Sequence, residues 1–485
     1  MKRLFGTDGI RGVAGEFPLD PPTIAAAGAA LVRHLKALAK ARGGDTRGPV
    51  RILVGRDTRE SGPWIQESLI AGVRRAGGEA DPIGVVTTPG LAYLTGKGGY
   101  NAGAMLSASH NPFADNGIKV FGPDQLKLSD DIERALEEDI LREVAEVAAR
   151  GVRSAYVPPE VRTTSRSRPT SGHLPPPSDE ERAVSGRLME FYRRFLVESL
   201  APGSSLSGLR LAIDCADGAA SDIAPSLFAS LGATVVARHT EPDGRNINEK
   251  CGALHPEGLA ATVVESGSDL GLAFDGDADR CLLVDRTGRL LDGDFILYVE
   301  AQRLARRDAL PGRAVVATVM SNLWLEKKLG ESGIKLLRTP VGDKYVLERM
   351  LADRITLGGE QSGHVIFLDR CRMGDGMLTG LRIAEAVAAD ALDLARIADS
   401  IERYPQVLVN VPVVSKPPLE THPEIGPVIR EVESAMAGSG RVLVRYSGTE
   451  RLARVMIEGS NAAVIESAAA RIAEAIRKSL GTAQG

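Results

Sequence analysis

The hydrophobic and polar positions of this chain follow one plan three times. An apolar strand leads into a polar turn, a helix, a glycine and a second apolar strand, starting at Val50, Leu209 and Ala314. Each segment is typical of a β-α-β unit, whose functional loops lie at the carboxyl ends of the strands. The repeat lies in the pattern and not in residue identity. It predicts three similar α/β domains with mixed, mainly parallel sheets.

The pattern changes after about residue 403. Alternating strands near Val407, Arg441 and Arg454 occur with two helical stretches, which predicts a smaller C-terminal α+β domain. A Ser-, Arg-, Pro- and Thr-rich stretch between residues 153 and 182 is typical of a flexible linker or loop. The predicted bounds are 1–160, 183–292 and 293–402 for the α/β domains, 161–182 for the linker and 403–485 for the last domain.

Composition restricts the class of protein. A chain of 485 residues is too long for a single core. Its 43% hydrophobic and 25% charged residues are ordinary for a globular protein. A net charge of -4 gives no reason to expect nucleic acid or an anionic membrane surface as a partner.

The sequence also lacks the marks of export. The first residues contain no apolar stretch, and no run of eighteen apolar residues occurs. Secretion and membrane spanning are therefore not expected, and the predicted location is cytoplasmic. The cysteines, without a Cys-x-x-Cys pair, argue against a zinc site or a disulfide scaffold and are expected to be reduced thiols: Cys215, Cys251, Cys281 and Cys371.

The first chemical motif is Met105-Leu-Ser-Ala-Ser-His-Asn-Pro112, directly after a short apolar segment. A serine at a strand end is a candidate nucleophile, and Ser109 has His110 beside it, with Lys119 shortly after. The alternative is a plain turn in which the serines bond to the backbone. The motif alone does not decide between the two.

The second motif follows the apolar segment Gly271-Leu-Ala-Phe and places Asp275, Asp277 and Asp279 at alternate positions. In an extended loop the three carboxylates point the same way and repel each other unless a cation joins them. Oxygen ligands favour magnesium or calcium. A calcium EF-hand is excluded because Arg280 and Arg286 occupy its required glycine and glutamate positions. A solvated acidic turn is the alternative.

Two glycine-containing loops have the composition of ligand-binding loops. Gly358-Gly-Glu360-Gln-Ser362-Gly-His364 combines groups that hydrogen-bond sugar hydroxyls or an amine. Arg445-Tyr-Ser447-Gly448-Thr449 offers a guanidinium, hydroxyls and backbone N–H groups, as a phosphate nest does. Two further segments, around Arg11 and from Arg56 to Arg59, mix Arg with Gly and Thr in the same way. A polar turn is the alternative at each.

Nucleotide motifs are missing. The segment Gly90 to Lys97 resembles a phosphate-binding loop, but five residues instead of four separate its glycines, and Gly98 stands where such a loop has Ser or Thr. No Gly-x-Gly-x-x-Gly follows a strand. Nucleotide kinases and dehydrogenases are therefore excluded. A displayed serine, a carboxylate metal loop, a polyol loop and a phosphate loop together point to phosphoryl transfer between the protein and a phosphosugar.

These motifs, in this order, resemble the α-D-phosphohexomutase superfamily over essentially the whole chain. The motifs that carry the resemblance begin at Phe5, Ser107, Asp275, Gly359 and Arg445. Within the superfamily the chain most resembles bacterial members that act on glucosamine phosphates. The resemblance implies three α/β domains and an α+β lid around a central cleft, with Ser109 carried as phosphoserine.

The resemblance also implies an isomerase-class phosphotransferase. Glucosamine 6-phosphate and glucosamine 1-phosphate would interconvert through glucosamine 1,6-bisphosphate, with one Mg²⁺ per chain. The metal ligands would be Ser109, Asp275, Asp277 and Asp279, the catalytic residues Ser109, His110, Lys119, Arg280 and Arg11, and the substrate-binding residues Glu360, Ser362, His364, Arg445, Ser447, Gly448, Thr449 and Arg454. Lys119 is preferred for proton transfer, with His110 and His364 left as alternatives.

Some positions depart from the family pattern. Tyr446 and Arg451 replace prolines, Asp217 replaces an asparagine, Gln125 replaces a glycine, and Cys371-Arg-Met stands where threonines are usual. None removes a proposed ligand. The alternatives are a mutase for mannose or glucose phosphates, a metal-dependent sugar phosphatase, or a silent sugar-phosphate binder. The expected partner is a small phosphosugar, and the expected state is a monomer or homodimer.

Overall fold

A computed structural model describes residues 4–6, 9–41, 43, 48–149, 176–447 and 451–481. Its internal contacts divide the chain into two compact units. The first consists of Met1–Ile296 with Thr356–Ala395, and the second of Leu297–Ile355 with Arg396–Gly485. The chain therefore leaves the first unit and returns to it before ending in the second.

The first unit opens with a mixed sheet. Its strands, β1 Phe5–Gly6, β2 Gly9–Val13, β3 Arg51–Arg56, β4 Glu79–Val85, β5 Ala102–Leu106 and β6 Asp115–Phe121, lie in the order β1-β2-β6-β5-β3-β4. β3 pairs in parallel with β4 and β5, and the other neighbours are antiparallel. The helices are α1 Pro21–Ala41, α2 Gly62–Arg75, α3 Thr88–Lys97 and α4 Asp130–Ala149. Ile24 of α1, Ile52 of β3 and Ile65 of α2 share one buried apolar cluster.

A second mixed sheet follows in the same unit. The chain continues through α5 Asp179–Glu198, β7 Arg210–Asp214, α6 Ile223–Ser230, β8 Thr234–Arg238, α7 Glu257–Ser266, β9 Leu270–Phe274, β10 Cys281–Asp285 and β11 Leu290–Leu291. The strand order is β11-β10-β9-β7-β8, with β7 parallel to β8 and β9. Every residue of β9 is buried. Burial on both faces explains why this strand is apolar throughout and does not alternate.

The next elements alternate between the units. They are α8 Gly293–Arg306, β12 Ala314–Thr318, α9 Leu323–Glu331, β13 Lys335–Thr339, α10 Asp343–Asp353, β14 Leu357–Gly359, β15 Val365–Phe367, α11 Gly376–Ala389 and α12 Leu394–Asp399. In the second unit β12 and β13 pair in parallel. In the first unit β14 and β15 form an antiparallel hairpin whose loop holds the predicted sugar-reading residues.

The second unit ends in an α+β domain. Its elements are β16 Gln406–Pro412, α13 Ile425–Met436, β17 Gly440–Tyr446, β18 Leu452–Gly459 and α14 Ala462–Leu480. The strands form an antiparallel sheet in the order β16-β18-β17. α14 buries Ile465, Ala469, Ile472 and Ile476, which share one face of the helix and cover the sheet.

The predicted fold class is confirmed. The three strands that begin the repeated plan are β3, β7 and β12, and each pairs in parallel with the second strand of its repeat. Residues 161–175 of the predicted linker lie outside the described residues, and α5 begins at Asp179 within its last part. No described helix has both the length and the low charge needed to cross a membrane.

Candidate active site

Ser109 lies in the loop that follows β5 at its carboxyl end. It has a φ of 51°, a left-handed conformation that costs a residue with a side chain roughly 1–2 kcal/mol. Its N–H donates to the Ser107 hydroxyl at 2.9 Å, and its side chain is buried. The Ser107 hydroxyl is therefore used within the turn, whereas the Ser109 hydroxyl points away from the turn.

Asp275, Asp277 and Asp279 follow β9 and converge. One carboxylate oxygen from each lies within 4.8 Å of the others. Asp275 and Asp277 are almost completely buried. Burial, with the charges of Asp279 and Asp277 added to it, raises the pKa of Asp275 well above its usual range. Carboxylates held so close together remain ionised only if positive charge joins them.

The serine and the carboxylates meet directly. Ser109 Oγ donates to Asp275 Oδ2 at 2.8 Å, although the two residues are 166 positions apart. The same hydroxyl lies 3.4 Å from His110 Nδ1. A group attached to Ser109 Oγ would therefore lie beside the carboxylates.

A lysine from β6 balances part of this negative charge. Lys119 Nζ donates to Asp277 Oδ2 at 2.9 Å, and both side chains are buried. The Thr88 hydroxyl donates to the same oxygen at 2.6 Å. The ammonium group is thus fixed at the carboxylate cluster.

Arg280 and His110 complete the surroundings. The Arg280 backbone N–H donates to Asp275 Oδ1 at 3.1 Å, and Arg280 Nε lies 3.8 Å from Asp279. Burial acts to lower the pKa of Arg280, but Asp279 and Asp275 more than offset it. Burial, with the positive charges of Arg280 and Arg11, lowers the pKa of His110 to about 4. His110 is therefore neutral at neutral pH.

The chemistry of the three carboxylates fits a hard divalent cation. All three contribute oxygen, which magnesium and calcium prefer. Asp279 Oδ1 is buried and has no hydrogen-bond partner among the residues that the structure describes. A buried carboxylate oxygen without such a partner is costly unless an ion binds it.

The predicted sugar-binding residues of the β14–β15 loop differ in their exposure. Glu360 is half-buried and Ser362 is exposed, so both are accessible to a ligand. His364 is buried instead, and its Nε2 accepts from the Gly374 N–H at 3.1 Å while Nδ1 lies 3.7 Å from Asp279. The placement of His364 beside Asp279 favours support of the metal loop over direct contact with a sugar.

The predicted phosphate loop lies in the second unit. Arg445 of β17 and Arg454 of β18 are directly opposite in the antiparallel register. Burial and the charge of Arg454 lower the pKa of Arg445. Two cations facing each other across strands repel, so this pair favours an anion. Ser447, the residue after the end of β17, is buried. Gly448 and Thr449 lie outside the described residues.

Sequence reasoning missed the role of two buried side chains. The segment from Arg56 to Arg59 was grouped with the candidate phosphate loop, with a polar turn as the alternative, but the Arg59 guanidinium donates to backbone carbonyls of the serine loop between β5 and β6, including Ser109 O at 2.9 Å. Asn248 binds the same carbonyl at 2.9 Å. The Arg-rich turn after β3 pointed to Arg59 but not to the backbone carbonyls that it binds. No sequence signal pointed to Asn248.

A second group of ligand-type side chains lies at the ends of β7 and β8. His239 Nδ1 lies 3.0 Å from Asp214 Oδ2, and Cys251 is close to both. Burial raises the pKa of Cys251 to about 12, so it is a neutral thiol. All four cysteines are free and buried.

Comparisons with known families match nearly the whole chain. Models described as phosphoglucomutase/phosphomannomutase match in four parts: α/β/α domain I over residues 2–146, domain II over 191–288, domain III over 292–404 and the C-terminal domain over 408–475.

Curated relatives and solved structures agree with these matches. The chain is 46% identical to a phosphoglucosamine mutase of Solibacter usitatus over 99% of both chains. It is 45% identical to one of Symbiobacterium thermophilum over 99% of this chain and 100% of the relative.

A phosphoglucomutase/phosphomannomutase family protein of Burkholderia thailandensis has a similar structure, with a TM-score of 0.72 at 23% identity over 98% of this chain and 97% of that one. The N-acetylphosphoglucosamine mutase of Aspergillus fumigatus, solved with GlcNAc-6P and magnesium, has a TM-score of 0.63 at 18% identity over 98% and 95%.

Proposed function

The chain belongs to the phosphoglucomutase/phosphomannomutase family, and from that premise we propose that it is a phosphoglucosamine mutase. It interconverts glucosamine 6-phosphate and glucosamine 1-phosphate. The observation that carries the proposal is the contact of Ser109 Oγ with Asp275, at 2.8 Å, inside a buried group of three carboxylates. This geometry suits a serine that stores a phosphoryl group next to a metal.

Magnesium is the proposed cofactor, held by Asp275, Asp277, Asp279 and an oxygen on the phosphorylated Ser109. When bound, Mg²⁺ neutralises charge on the phosphoryl oxygens. The three convergent carboxylates support a single ion for each chain.

The proposed reaction has two transfers. A sugar hydroxyl attacks the phosphorus of phosphoserine, the bond from phosphorus to Ser109 Oγ breaks, and glucosamine 1,6-bisphosphate forms. The intermediate turns around in the site. Ser109 Oγ then attacks the other phosphate, which restores phosphoserine and releases the isomeric monophosphate. No phosphate is gained or lost over the cycle.

The basic residues have complementary roles in this proposal. Lys119 exchanges the proton of the sugar hydroxyl, and its contact with Asp277 holds it at the reacting groups. Arg280 and Arg11 stabilise negative charge on the transferring phosphoryl group. His110, neutral because its pKa is about 4, contacts the phosphoryl group as a hydrogen-bonding partner and does not act as an acid.

Substrate recognition involves two loops. Glu360 and Ser362 bind the sugar hydroxyls and the amine, for which a half-buried carboxylate is a suitable partner. His364, beside Asp279, supports the metal loop. The phosphate that is not transferred is bound by Arg445, Ser447 and Arg454, together with the predicted Gly448 and Thr449.

Other parts of the proposal concern the cell. The four free thiols support a reducing compartment, for which the cytoplasm is proposed. The proposed assembly is a monomer or homodimer, to be measured by light scattering.

Purified protein incubated separately with glucosamine 6-phosphate, mannose 1-phosphate and glucose 1-phosphate tests the function. The expected result is fastest isomerisation of the glucosamine ester with little free phosphate. Faster turnover of the mannose or glucose ester would refute the amino-sugar assignment. Free phosphate as the main product would refute a mutase and indicate a phosphatase.

A further inference from the structure

Arg59 is buried beneath the serine loop, and every N–H donor of its guanidinium has an acceptor. Its side chain is 0% exposed. A guanidinium has five N–H donors, and four of them reach backbone carbonyls of one loop. Nη2 donates to Ser109 O at 2.9 Å and to Asn111 O at 2.8 Å, while Nη1 donates to Asp115 O at 3.0 Å and to Pro112 O.

The fifth donor anchors the guanidinium itself. Arg59 Nε donates to Asp57 Oδ2 at 2.9 Å, and the Arg59 backbone N–H donates to Asp57 Oδ1 at 3.0 Å. Asp57 is also fully buried, and its own N–H donates to Leu106 O at the end of β5. The charge pair is therefore fixed to the sheet from which the serine loop emerges.

Asn248 holds the same loop from a different part of the chain. Its Nδ2 donates to Ser109 O at 2.9 Å and to Asn111 O at 3.1 Å. A side chain added at Gly276, next to Asp275, would lie 2.7 Å from Ser109 O and 2.8 Å from Asn248 Nδ2. The carboxylate loop thus packs against the very carbonyl that Arg59 and Asn248 bind.

We propose that Arg59 and Asn248 are positioning residues that hold the Ser109 carbonyl, keep Oγ aimed at Asp275, and direct phosphoserine to the sugar and away from water. The inference rests on the proposed mutase function. Ser109 has a left-handed φ, which persists only where its surroundings enforce it. Phosphorylation adds about -1.5 to -2 charges beside three carboxylates, so the loop needs an anchor that does not contact the phosphate itself.

Neither Arg59→Lys nor Asn248→Asp preserves the hydrogen bonds to the serine loop. Lysine at position 59 has three donors without the planar fork and cannot reach four carbonyls. Asp at position 248 keeps the shape of Asn248 but turns an oxygen toward two carbonyl oxygens. Asn248→Ala only removes the donor, so Asn248→Asp is expected to have the larger effect.

The test uses Arg59→Lys, Asn248→Ala and Asn248→Asp, with Arg51→Lys as the matched control. Arg51 is the first residue of β3, at the opposite end of that strand from the turn that holds Arg59, and it contacts Asp81 and Tyr100. For each protein kcat, KM, and free phosphate released per sugar phosphate isomerised are measured. Release of phosphate reports attack of water on phosphoserine, which breaks the bond to Ser109 Oγ and leaves the serine hydroxyl.

Arg59→Lys is expected to lower kcat on the order of 100-fold with a smaller change in KM, because misplacement by about 1 Å has that effect. The phosphate released per isomerisation should rise in Arg59→Lys and Asn248→Asp and stay at the wild-type value in Arg51→Lys. Lower kcat with an unchanged ratio in folded variants would overturn the inference. Should Arg59→Lys not fold, the two Asn248 variants decide.

A separate measurement distinguishes this inference from the proposed function. Loss of phosphate from phosphorylated protein is followed by intact mass in buffer without sugar. Faster loss in Asn248→Asp than in wild type supports the positioning role, and equal loss overturns it, whichever sugar the enzyme prefers. Failure of wild-type protein to isomerise glucosamine 6-phosphate would instead overturn the proposed function.

Discussion

Residue identity pointed to groups that the structure brings together, Ser109 and the aspartates, but not to the side chains that hold the serine loop in place. The three aspartates stand out by their alternate spacing after an apolar strand, whereas Ser109 became a candidate nucleophile only when its motif was considered together with the other motifs. Arg59 and Asn248 were misjudged or missed, since their partners are backbone carbonyls, which carry no sequence signature. His364 was grouped with ligands from its glycine-rich context, but it is buried against Gly374 and Asp279. A motif therefore identifies chemistry, whereas the direction of each side chain depends on distant contacts.

At this scale, Lys119→Met is expected to lower kcat about 10²- to 10⁴-fold, the usual contribution of a positioned proton-transfer group. The substitution removes the ammonium that contacts Asp277 at 2.9 Å and leaves that buried carboxylate without its lysine. Steady-state kinetics measures the effect. Lys97→Met, at an exposed lysine of α3, is the control and should be unchanged. Activity of Lys119→Met near the wild-type value would exclude Lys119 from proton transfer.

The secondary-structure elements were predicted wherever an apolar run has clear ends. β9 was legible because its five apolar residues are bounded by polar ones, and burial on both faces requires that pattern. The start of α5 was overlooked. Ser178 and Glu181 form a capping box there, a sequence signature of a helix start, but it was assigned to a linker because of the prolines before it.

Helix α11 provides a prediction about pH. Asp375 caps its start by accepting from the Leu378 N–H at 3.0 Å and also accepts from the Tyr192 hydroxyl at 2.9 Å. Burial raises the pKa of Asp375 to about 6, above the usual 3.8. The folded state therefore binds this proton more tightly than the unfolded state, and stability falls as pH rises from about 4 to about 6.

Asp375→Asn carries no charge and keeps an oxygen to accept from the Leu378 N–H, while its amide N–H₂ replaces Oδ2 and can donate to the Tyr192 hydroxyl oxygen. Above pH 6 it should be more stable than wild type by on the order of 2 kcal/mol, and the difference should vanish near pH 4. Thermal unfolding at pH 4.5 and pH 7.5 measures this. Asp375→Ala, which loses the cap, should be less stable than Asp375→Asn at both values. A variant Asp375→Asn that is less stable than wild type at pH 7.5 would contradict the assignment.

At the scale of the whole molecule, the sequence predicted the classes of domain but not the long-range contacts. The three parallel pairs and the antiparallel C-terminal sheet follow from local pattern. The contact between Asn248 and Ser109 joins residues 139 positions apart and depends on how the first two sheets meet within the first unit. No local pattern encodes such a contact, since it arises from packing.

The second unit should matter for binding in both directions of the reaction. Arg445→Gln removes one of two facing guanidinium groups, and loss of a hydrogen bond to a charged group costs about 1.5–3 kcal/mol. The expected result is an increase in KM of roughly 10- to 100-fold for both glucosamine phosphates. Arg471→Gln, at an exposed arginine of α14, is the control. An effect on only one substrate would contradict a shared phosphate site.

The most direct test of the account is to locate the stored phosphate. Protein incubated with glucosamine 1,6-bisphosphate and Mg²⁺ is digested and its peptides are analysed by mass spectrometry, alongside Ser109→Ala and Ser107→Ala. The account predicts phosphate on Ser109 and not on Ser107, and complete loss of turnover in Ser109→Ala. Phosphate on another residue, or substantial turnover by Ser109→Ala, would contradict it.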